Sequence, residues 1–175
     1  MRNYRPRPGV HKFLQEMSSY FELVVFTAGL KDYADWILND FDRQGLISYR
    51  LYRHHTRFRS GVYVKDLSKL GRSLQKTIII DNIQENFMLQ PENGIHIRGW
   101  YNDPLDRELE KLAPFLKSIV MRGAPDVRHE LRSMRFAPEQ KHVYSLDGII
   151  GSHSLSDYKR QRGTLKQVSQ MVYSR

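Results

Sequence analysis

Residues 77–82 read Thr77-Ile78-Ile79-Ile80-Asp81-Asn82, the most apolar β-branched run in the chain, and it ends abruptly in two polar residues. A short apolar run without alternation is typical of a strand buried on both faces, as in parallel sheets covered by helices. The run therefore predicts an inner strand of an α/β sheet, with Asp81 and Asn82 at its carboxyl end.

Helical and strand patterns alternate on either side of this run. The helical spacing of apolar residues covers residues 10–21, 31–41, 106–120 and 126–135, and further strand-like runs cover residues 22–26, 46–52 and 94–98. Alternation of this kind indicates a mostly parallel sheet with crossover helices on both faces. The predicted fold class is α/β.

Charge and composition limit the classes of function. The chain has 175 residues, 28 Lys+Arg against 19 Asp+Glu, and no cysteine. The absence of cysteine excludes a disulfide scaffold, a cysteine zinc site and a thiol nucleophile. No apolar run approaches the length of a membrane-spanning helix, and no signal peptide is visible. The net charge of +9 favours an anionic partner, although a solvated basic surface explains it equally well.

The character of the sequence changes near residue 120. Residues 121–175 hold ten Lys+Arg and five Asp+Glu, against 18 and 14 in residues 1–120. From Ala137 onward no clear periodicity remains. We therefore expect an α/β domain over residues 1–136 and a basic, loosely ordered tail over residues 137–175.

Three positions carry residues suited to phosphate chemistry. Thr27 follows a predicted strand and precedes a small-residue turn, where a hydroxyl and free backbone N–H groups can hold a phosphate oxygen. Lys65 lies among apolar residues and could neutralise charge on a phosphate. Asp81 and Asn82 offer oxygen ligands to a hard cation such as Mg²⁺. Each position has an ordinary alternative: a turn residue for Thr27, an exposed ion-paired lysine for Lys65, and a helix N-cap for Asp81.

The ordered set strand-Thr, Lys, strand-Asp resembles the haloacid-dehalogenase superfamily. Within it, the chain resembles the phosphatases that act on the C-terminal domain of RNA polymerase II, also called the NLI-interacting-factor-like family. The resemblance covers about residues 6 to 135 and is carried by residues 7–9 (Arg-Pro-Gly), 26–29 (Phe-Thr-Ala-Gly), 63–72 (Tyr-Val-Lys-Asp-Leu-Ser-Lys-Leu-Gly-Arg), 80–82 (Ile-Asp-Asn) and 89–95 (Leu-Gln-Pro-Glu-Asn-Gly-Ile).

The resemblance implies a Mg²⁺-dependent protein serine/threonine phosphatase that works through a phosphoaspartyl intermediate. It implies that Thr27 and Ala28 bind the phosphoryl group and that Lys65 stabilises the intermediate. It also implies that Asp81 and Asn82 form part of the metal site. Thr27 and Lys65 are thus the candidate catalytic residues.

The family's first motif, Asp-x-Asp-x-Thr, supplies the covalent nucleophile and the general acid/base, and it is absent here. Residues 1–6 contain no acid, and Asp40-Phe41-Asp42 lacks the preceding strand and the following Thr. In the family, the strand of this motif lies between the strands of Thr27 and Asp81, so the resemblance implies that an inner strand is missing here and that two inner edges are unpaired. We also predict that the chain as given is catalytically inert.

Two explanations of this absence predict different functions. An N-terminally incomplete phosphatase, nuclear or cytoplasmic, is favoured because Thr27, Lys65 and Asp81 are all present. The alternative is a non-catalytic relative resembling the presequence-receptor subunit of the mitochondrial inner-membrane translocase, which binds other protein subunits.

A basic stretch between Thr27 and Lys65 lies where the family inserts a hairpin that faces the substrate. It contains four arginines and no acid: Arg50, Arg53, Arg57 and Arg59. Guanidinium groups bind phosphate through two parallel hydrogen bonds, so these side chains are candidates for binding a phosphorylated protein substrate. A solvated loop explains the stretch equally well. The lack of any recognised nucleic-acid-binding module argues against nucleic acid as a partner.

Overall fold

The computed structural model of the protein describes residues 4–136 and 169–174. Over these residues the α-helices are α1 (Val10–Met17), α2 (Lys31–Phe41), α3 (Glu108–Met121) and α4 (Val127–Phe136). The strands are β1 (Phe21–Phe26), β2 (Ile47–Leu51), β3 (Arg57–Arg59), β4 (Val62–Val64), β5 (Thr77–Asp81), β6 (Gly94–His96) and β7 (Ser169–Ser174). None of the helices in this described part of the chain is both long and apolar enough to cross a bilayer.

Five strands form the main sheet in the order β2-β1-β7-β5-β6. β1 pairs with β2 and β5 pairs with β6 in parallel, whereas β7 is antiparallel to both of its neighbours, β1 and β5. Four of the five strands therefore point the same way. This is the α/β, mostly parallel architecture that the sequence predicts.

The centre of the sheet differs from the sequence-based prediction. β7 pairs along the whole of β1, from Phe21 opposite Ser174 to Phe26 opposite Ser169, and along β5 from Thr77 to Ile80. The prediction of two unpaired inner edges is therefore wrong. Open edges leave backbone N–H and C=O groups that burial makes costly to leave unpaired, and a strand from anywhere in the chain can satisfy them.

The same strand changes the domain prediction. Residues 169–174 fall within the range 137–175, which was predicted to be a loosely ordered tail, and they form part of the α/β sheet instead. Val172 and Tyr173 have high strand propensity, but the run is too short to show a period. Residues 137–168 and 175 lie outside the described part of the chain.

The two faces of the sheet are covered differently. On one face, Leu23, Ile78 and Ile80 pack with α1, α3 and α4, and Val25 packs with α2. On the opposite face, Val24, Phe26 and Ile79 pack against Leu67 and Phe87, which lie in short 3₁₀ turns. The four α-helices of the described chain thus lie on one face, while irregular segments carry Lys65 to the other.

A partly buried ion pair ties the segment before α1 to the segment before α3. Arg7 donates from Nε and Nη2 to the two carboxylate oxygens of Asp106, each over 2.7 Å, and from Nη1 to the carbonyl of Arg98. Two residues after Arg7, Gly9 adopts φ 75° at the start of α1. α1 ends at Met17, earlier than the apolar spacing predicted, because Phe21 already belongs to β1.

β3 and β4 form a separate two-stranded hairpin. Its turn residues, Ser60 and Gly61, have φ of 48° and 82°, as tight hairpin turns require. The hairpin lies between Thr27 and Lys65 in sequence, at the position expected for an inserted hairpin.

Candidate functional site

Thr27 and Asp81 lie at the same edge of the sheet. Thr27 follows β1 and Asp81 ends β5, and these two strands are parallel to each other with β7 between them. Thr27 is buried, its backbone N–H donates to the carbonyl of Leu51, and its Oγ1 accepts a hydrogen bond of 2.9 Å from the N–H of Gly29. The hydroxyl is thereby fixed at the carboxyl edge, where α/β proteins bind their ligands.

Lys65 and Asp81 form a buried ion pair at this edge. The Lys65 ammonium donates to Oδ2 of Asp81 over 2.6 Å, and the two side chains are 1% and 0% exposed. Lys65 Nζ also lies 6.0 Å from the centroid of the Phe26 ring, the residue directly before Thr27. The structure therefore brings Lys65 and Asp81 together beside the end of β1.

Asn86 is a third member of this cluster, and the sequence analysis missed it. Its side-chain amide donates to both carboxylate oxygens of Asp81, over 3.2 and 3.1 Å, and its carbonyl accepts from the backbone N–H of Lys65 over 2.6 Å. Oδ1 of Asp81 also accepts from the N–H of Ile83 over 2.9 Å. The only signal in the sequence is an amide residue one helical turn after the strand-terminal Asp81-Asn82 pair.

Burial sets the proton affinity of the lysine. Transfer of the ammonium out of water lowers the pKa of Lys65 from its ordinary value of 10.5, although the charge and hydrogen bond of Asp81 oppose this effect. The effect of burial on the pKa is the larger of the two, because water no longer solvates the cation. The lysine is therefore a poorly hydrated donor, of the kind that pairs strongly with an anion.

The predicted metal ligands do not fit Mg²⁺ in the arrangement that the structure describes. The Asp81 carboxylate already accepts from Lys65, Ile83 and Asn86, and Mg²⁺ would have to enter beside a buried ammonium. Asn82 presents its carbonyl to Nε2 of His96 over 3.1 Å. Within the described residues no three His, Cys, Asp or Glu side chains group to hold a metal.

The four predicted substrate-binding arginines do not act as one group. Arg53 lies at the Thr27–Gly29 turn, since its Nε donates to the carbonyl of Ala28 over 2.7 Å and its guanidinium stacks on Tyr63. Arg50 instead donates to Asp35 and Asn39 on α2. Arg57 and Arg59 are exposed on β3. Only Arg53 of the four has a direct bond to the Thr27–Gly29 turn among the interactions described.

Asp40 and Asp42 lie away from this cluster. Asp40 accepts from the hydroxyl of Tyr4 and from Arg43, and Asp42 accepts from the N–H groups of Leu46 and Ile47. Both carboxylates hold the end of α2 in place, the end remote from Thr27. The pair serves local structure, as its sequence context predicts.

A family profile matches this arrangement over most of the chain. The profile describes the NLI interacting factor-like phosphatases and covers residues 3–128, which include Thr27, Lys65 and Asp81. The chain belongs to this family. The resemblance inferred from the sequence motifs is confirmed.

Phosphatases and mitochondrial translocase subunits are both similar to this NLI interacting factor-like domain. A human carboxy-terminal domain RNA polymerase II polypeptide A small phosphatase 2 is 43% identical over 129 residues, which are 74% of this chain and 47% of that protein. A mitochondrial import inner membrane translocase subunit tim50 of Aspergillus fumigatus is 45% identical over 127 residues, 73% of this chain and 25% of that protein. A probable C-terminal domain small phosphatase of Dictyostelium discoideum is 45% identical over 129 residues, 74% of this chain and 42% of that protein.

The chain spans between a quarter and half of the length of these relatives. The shared part is the phosphatase-like domain itself. The identities to the phosphatases and to the translocase subunit are nearly equal. Similarity in this part therefore shows the family and does not distinguish between the two kinds of relative.

Proposed function

We propose that the chain is the phosphate-recognising part of a protein serine/threonine phosphatase domain of the C-terminal-domain phosphatase type. The observation that carries the proposal is the buried Lys65–Asp81 pair at the sheet edge that also holds Thr27. A domain that only packs against partners gains little from this pair, since a buried ion pair is seldom better than apolar residues of the same volume.

The chemistry of the edge suits a phosphate monoester. The Thr27 oxygen accepts from Gly29, so its own proton is available to donate to an anion. The Lys65 ammonium adds a positive charge in a water-poor environment, where its attraction for an anion is stronger than in bulk water. We propose that Thr27, Ala28 and Lys65 bind the phosphoryl group and that Lys65 is catalytic in the intact domain.

The residues around this edge of the sheet suit a phosphorylated protein as the ligand. Arg53 is held against the Ala28 carbonyl, and the exposed hairpin adds Arg57, Phe58 and Arg59. A phosphopeptide offers both an anion for the guanidinium groups and apolar side chains for the exposed ring. A small phosphorylated metabolite would use the anion contacts alone.

Hydrolysis needs a carboxylate nucleophile, and Asp81 is poorly suited to that role. Its carboxylate is held by Lys65, Asn86 and the N–H of Ile83, which lowers its nucleophilicity and fixes its orientation. The sequence contains no Asp-x-Asp-x-Thr. We therefore propose that the chain as given binds phosphorylated protein without turnover. Asp81 and Asn82 remain proposed metal ligands only for a domain in which a first-motif carboxylate is also present.

The second candidate is a non-catalytic subunit that binds presequences at the mitochondrial inner membrane. The 45% identity to a tim50 subunit is compatible with it, and the donor set at Asp81, which does not fit Mg²⁺, favours it. The net charge of +9 opposes it, since presequences are themselves basic. The phosphatase reading places the protein in the nucleus or cytoplasm, and this alternative places it at the inner membrane.

Phosphate-dependent peptide binding tests the proposal. We would measure fluorescence anisotropy with a labelled phosphoserine peptide, the same peptide without phosphate, and a basic amphipathic presequence peptide. We expect the phosphopeptide to bind at least several-fold more tightly than its unphosphorylated form. Arg53→Gln should weaken this preference, because the residue lies at the Ala28 turn.

Arg43→Gln is the matched control, since Arg43 is an exposed arginine at the far end of α2 and bonds to Asp40. It should leave phosphopeptide binding unchanged. Equal binding of both phosphorylation states would contradict the proposal, and tight binding of the presequence peptide alone would favour the translocase alternative.

A further inference from the structure

The space between the facing edges of β1 and β5, called here the β1/β5 slot, holds a strand from the other end of the chain. β7 pairs with all six residues of β1 on one side and with Thr77–Ile80 on the other. Residues 137–168 separate it from α4 in sequence. The central position in the sheet is therefore filled by a segment from the other end of the chain.

The slot is built to take a strand. Its walls are among the most buried residues of the protein: Val24, Val25, Ile78 and Ile79 are each 3% exposed or less. Both walls present backbone N–H and C=O groups that need partners inside the sheet. Such groups bind the main chain of any extended segment and place few demands on its sequence.

The orientation of β7 shows that the slot accepts a strand antiparallel to both of its walls. The four other strands of the sheet are parallel to one another, whereas β7 runs against both neighbours. β7 has no charged residue. Its apolar and polar residues do not alternate regularly over Gln170-Met171-Val172-Tyr173. The slot therefore holds β7 through main-chain pairing, and the strand that it holds is uncharged.

We propose that the β1/β5 slot is a strand-binding site for a neutral, extended protein segment, occupied by residues 169–174 of this chain and open to a competing strand when β7 is released. The interaction is β-strand addition at the centre of a sheet rather than at its outer edge. It is independent of phosphate binding, so its test does not depend on the proposed function.

Disulfide trapping in the full-length chain tests the occupancy. The chain has no cysteine, so Glu22→Cys combined with Tyr173→Cys gives one possible pair at positions that face each other in the register. Directly opposed residues on antiparallel strands lie within disulfide distance. We expect this variant to form the disulfide under mild oxidation. Glu22→Cys with Val172→Cys is the matched control, because adjacent strand residues point to opposite faces.

A monomeric disulfide shows β7 in its own slot, and a dimeric disulfide in the same register shows the slot filled by a second copy. Both support a strand-binding site. Equal yields from the matched pair and the control, or no disulfide in either, overturn the proposal.

Peptide binding tests the exchange. Met171 faces Val24 on one side and Ile79 on the other, so Met171→Pro removes a central N–H and releases β7. A labelled peptide of residues 168–175 should bind this variant on the order of tenfold or more tightly than the unaltered chain, whose tethered strand competes at high effective concentration. Met171→Val keeps the strand and should behave as the unaltered chain does.

A folded Met171→Pro protein, verified by circular dichroism, that binds no peptide overturns the exchange. If it does not fold, disulfide exchange of the Glu22→Cys chain with a peptide carrying cysteine at position 173 decides the question.

Discussion

The Lys65 ammonium lies 2.6 Å from Oδ2 of Asp81, with both side chains removed from water. The pair joins the segment after the β3–β4 hairpin to the carboxyl end of β5, so two distant parts of the chain meet at the candidate site. It also neutralises the one carboxylate that the described cluster offers. The same contact thus holds the site together and limits its chemistry.

Breaking the Lys65–Asp81 pair on one side should destabilise the domain strongly. Lys65→Met leaves the Asp81 carboxylate buried without its counter-charge, and we expect a loss of about 3–5 kcal/mol in the free energy of unfolding. Urea denaturation followed by circular dichroism measures this loss.

The double variant Lys65→Met/Asp81→Leu is the control, because it removes both charges together. It should recover most of the loss, since an apolar pair of similar volume is often as stable as a buried ion pair. A Lys65→Met protein as stable as the unaltered chain would show that Asp81 is not buried as described.

The Arg7–Asp106 pair should make stability depend on pH in the acid range. Burial raises the pKa of Asp106, but the hydrogen bonds and charge of Arg7 outweigh it, and the net pKa is below the ordinary 3.8. The folded state therefore holds the carboxylate ionised where the unfolded state has begun to bind a proton. The resulting stability is present above about pH 3.8 and is lost as pH falls through the folded pKa.

Asp106→Asn should therefore cost about 1–3 kcal/mol at pH 7, and less as the pH falls below 3.8. Urea titrations at several pH values measure the difference. Glu110→Gln is the control, because its partner Arg107 is exposed and the pair should contribute nothing measurable. A difference that stays constant down to pH 2 would mean that the Arg7 contact does not depend on the Asp106 charge.

Gly94 should not tolerate a side chain. A Cβ atom built there would lie 2.0 Å from Cε2 of Phe87, a buried ring under the Asp81 edge. Gly94→Ala should lower the free energy of unfolding by about 1–3 kcal/mol through overpacking. Thermal denaturation measures the shift, and Phe87→Leu added to Gly94→Ala should restore part of it. Equal melting of Gly94→Ala and the unaltered chain would contradict the close packing of β6 on Phe87.

Most elements of the parallel sheet could be predicted from the sequence because their signals are local. The bounds of α2 match the prediction, and β1 and β5 follow from short runs of buried residues. The placement of Lys65 beside Asp81 follows from the resemblance, and no local pattern indicates it. The amide of Asn86 was missed, since its role depends on the path of the chain after Asp81.

β7 could not be predicted, because its position depends on distant parts of the chain. The segment Ser169–Ser174 is short and follows a basic stretch without periodicity, and the slot that it fills is created by β1 and β5. Strand pairing between segments so far apart leaves no trace in local composition. The resemblance located the gap between β1 and β5, but the prediction that the edges of this gap are unpaired is wrong.

Turnover of a generic aryl phosphate with Mg²⁺ tests the central claim most directly, the claim that this chain holds the phosphate-binding residues of its family without a nucleophile. The measurement compares the unaltered chain, Asp81→Asn and buffer at equal protein concentration. We predict that both proteins match the buffer rate while the unaltered chain still prefers the phosphorylated peptide. Turnover by the unaltered chain that is lost in a folded Asp81→Asn protein would contradict the account.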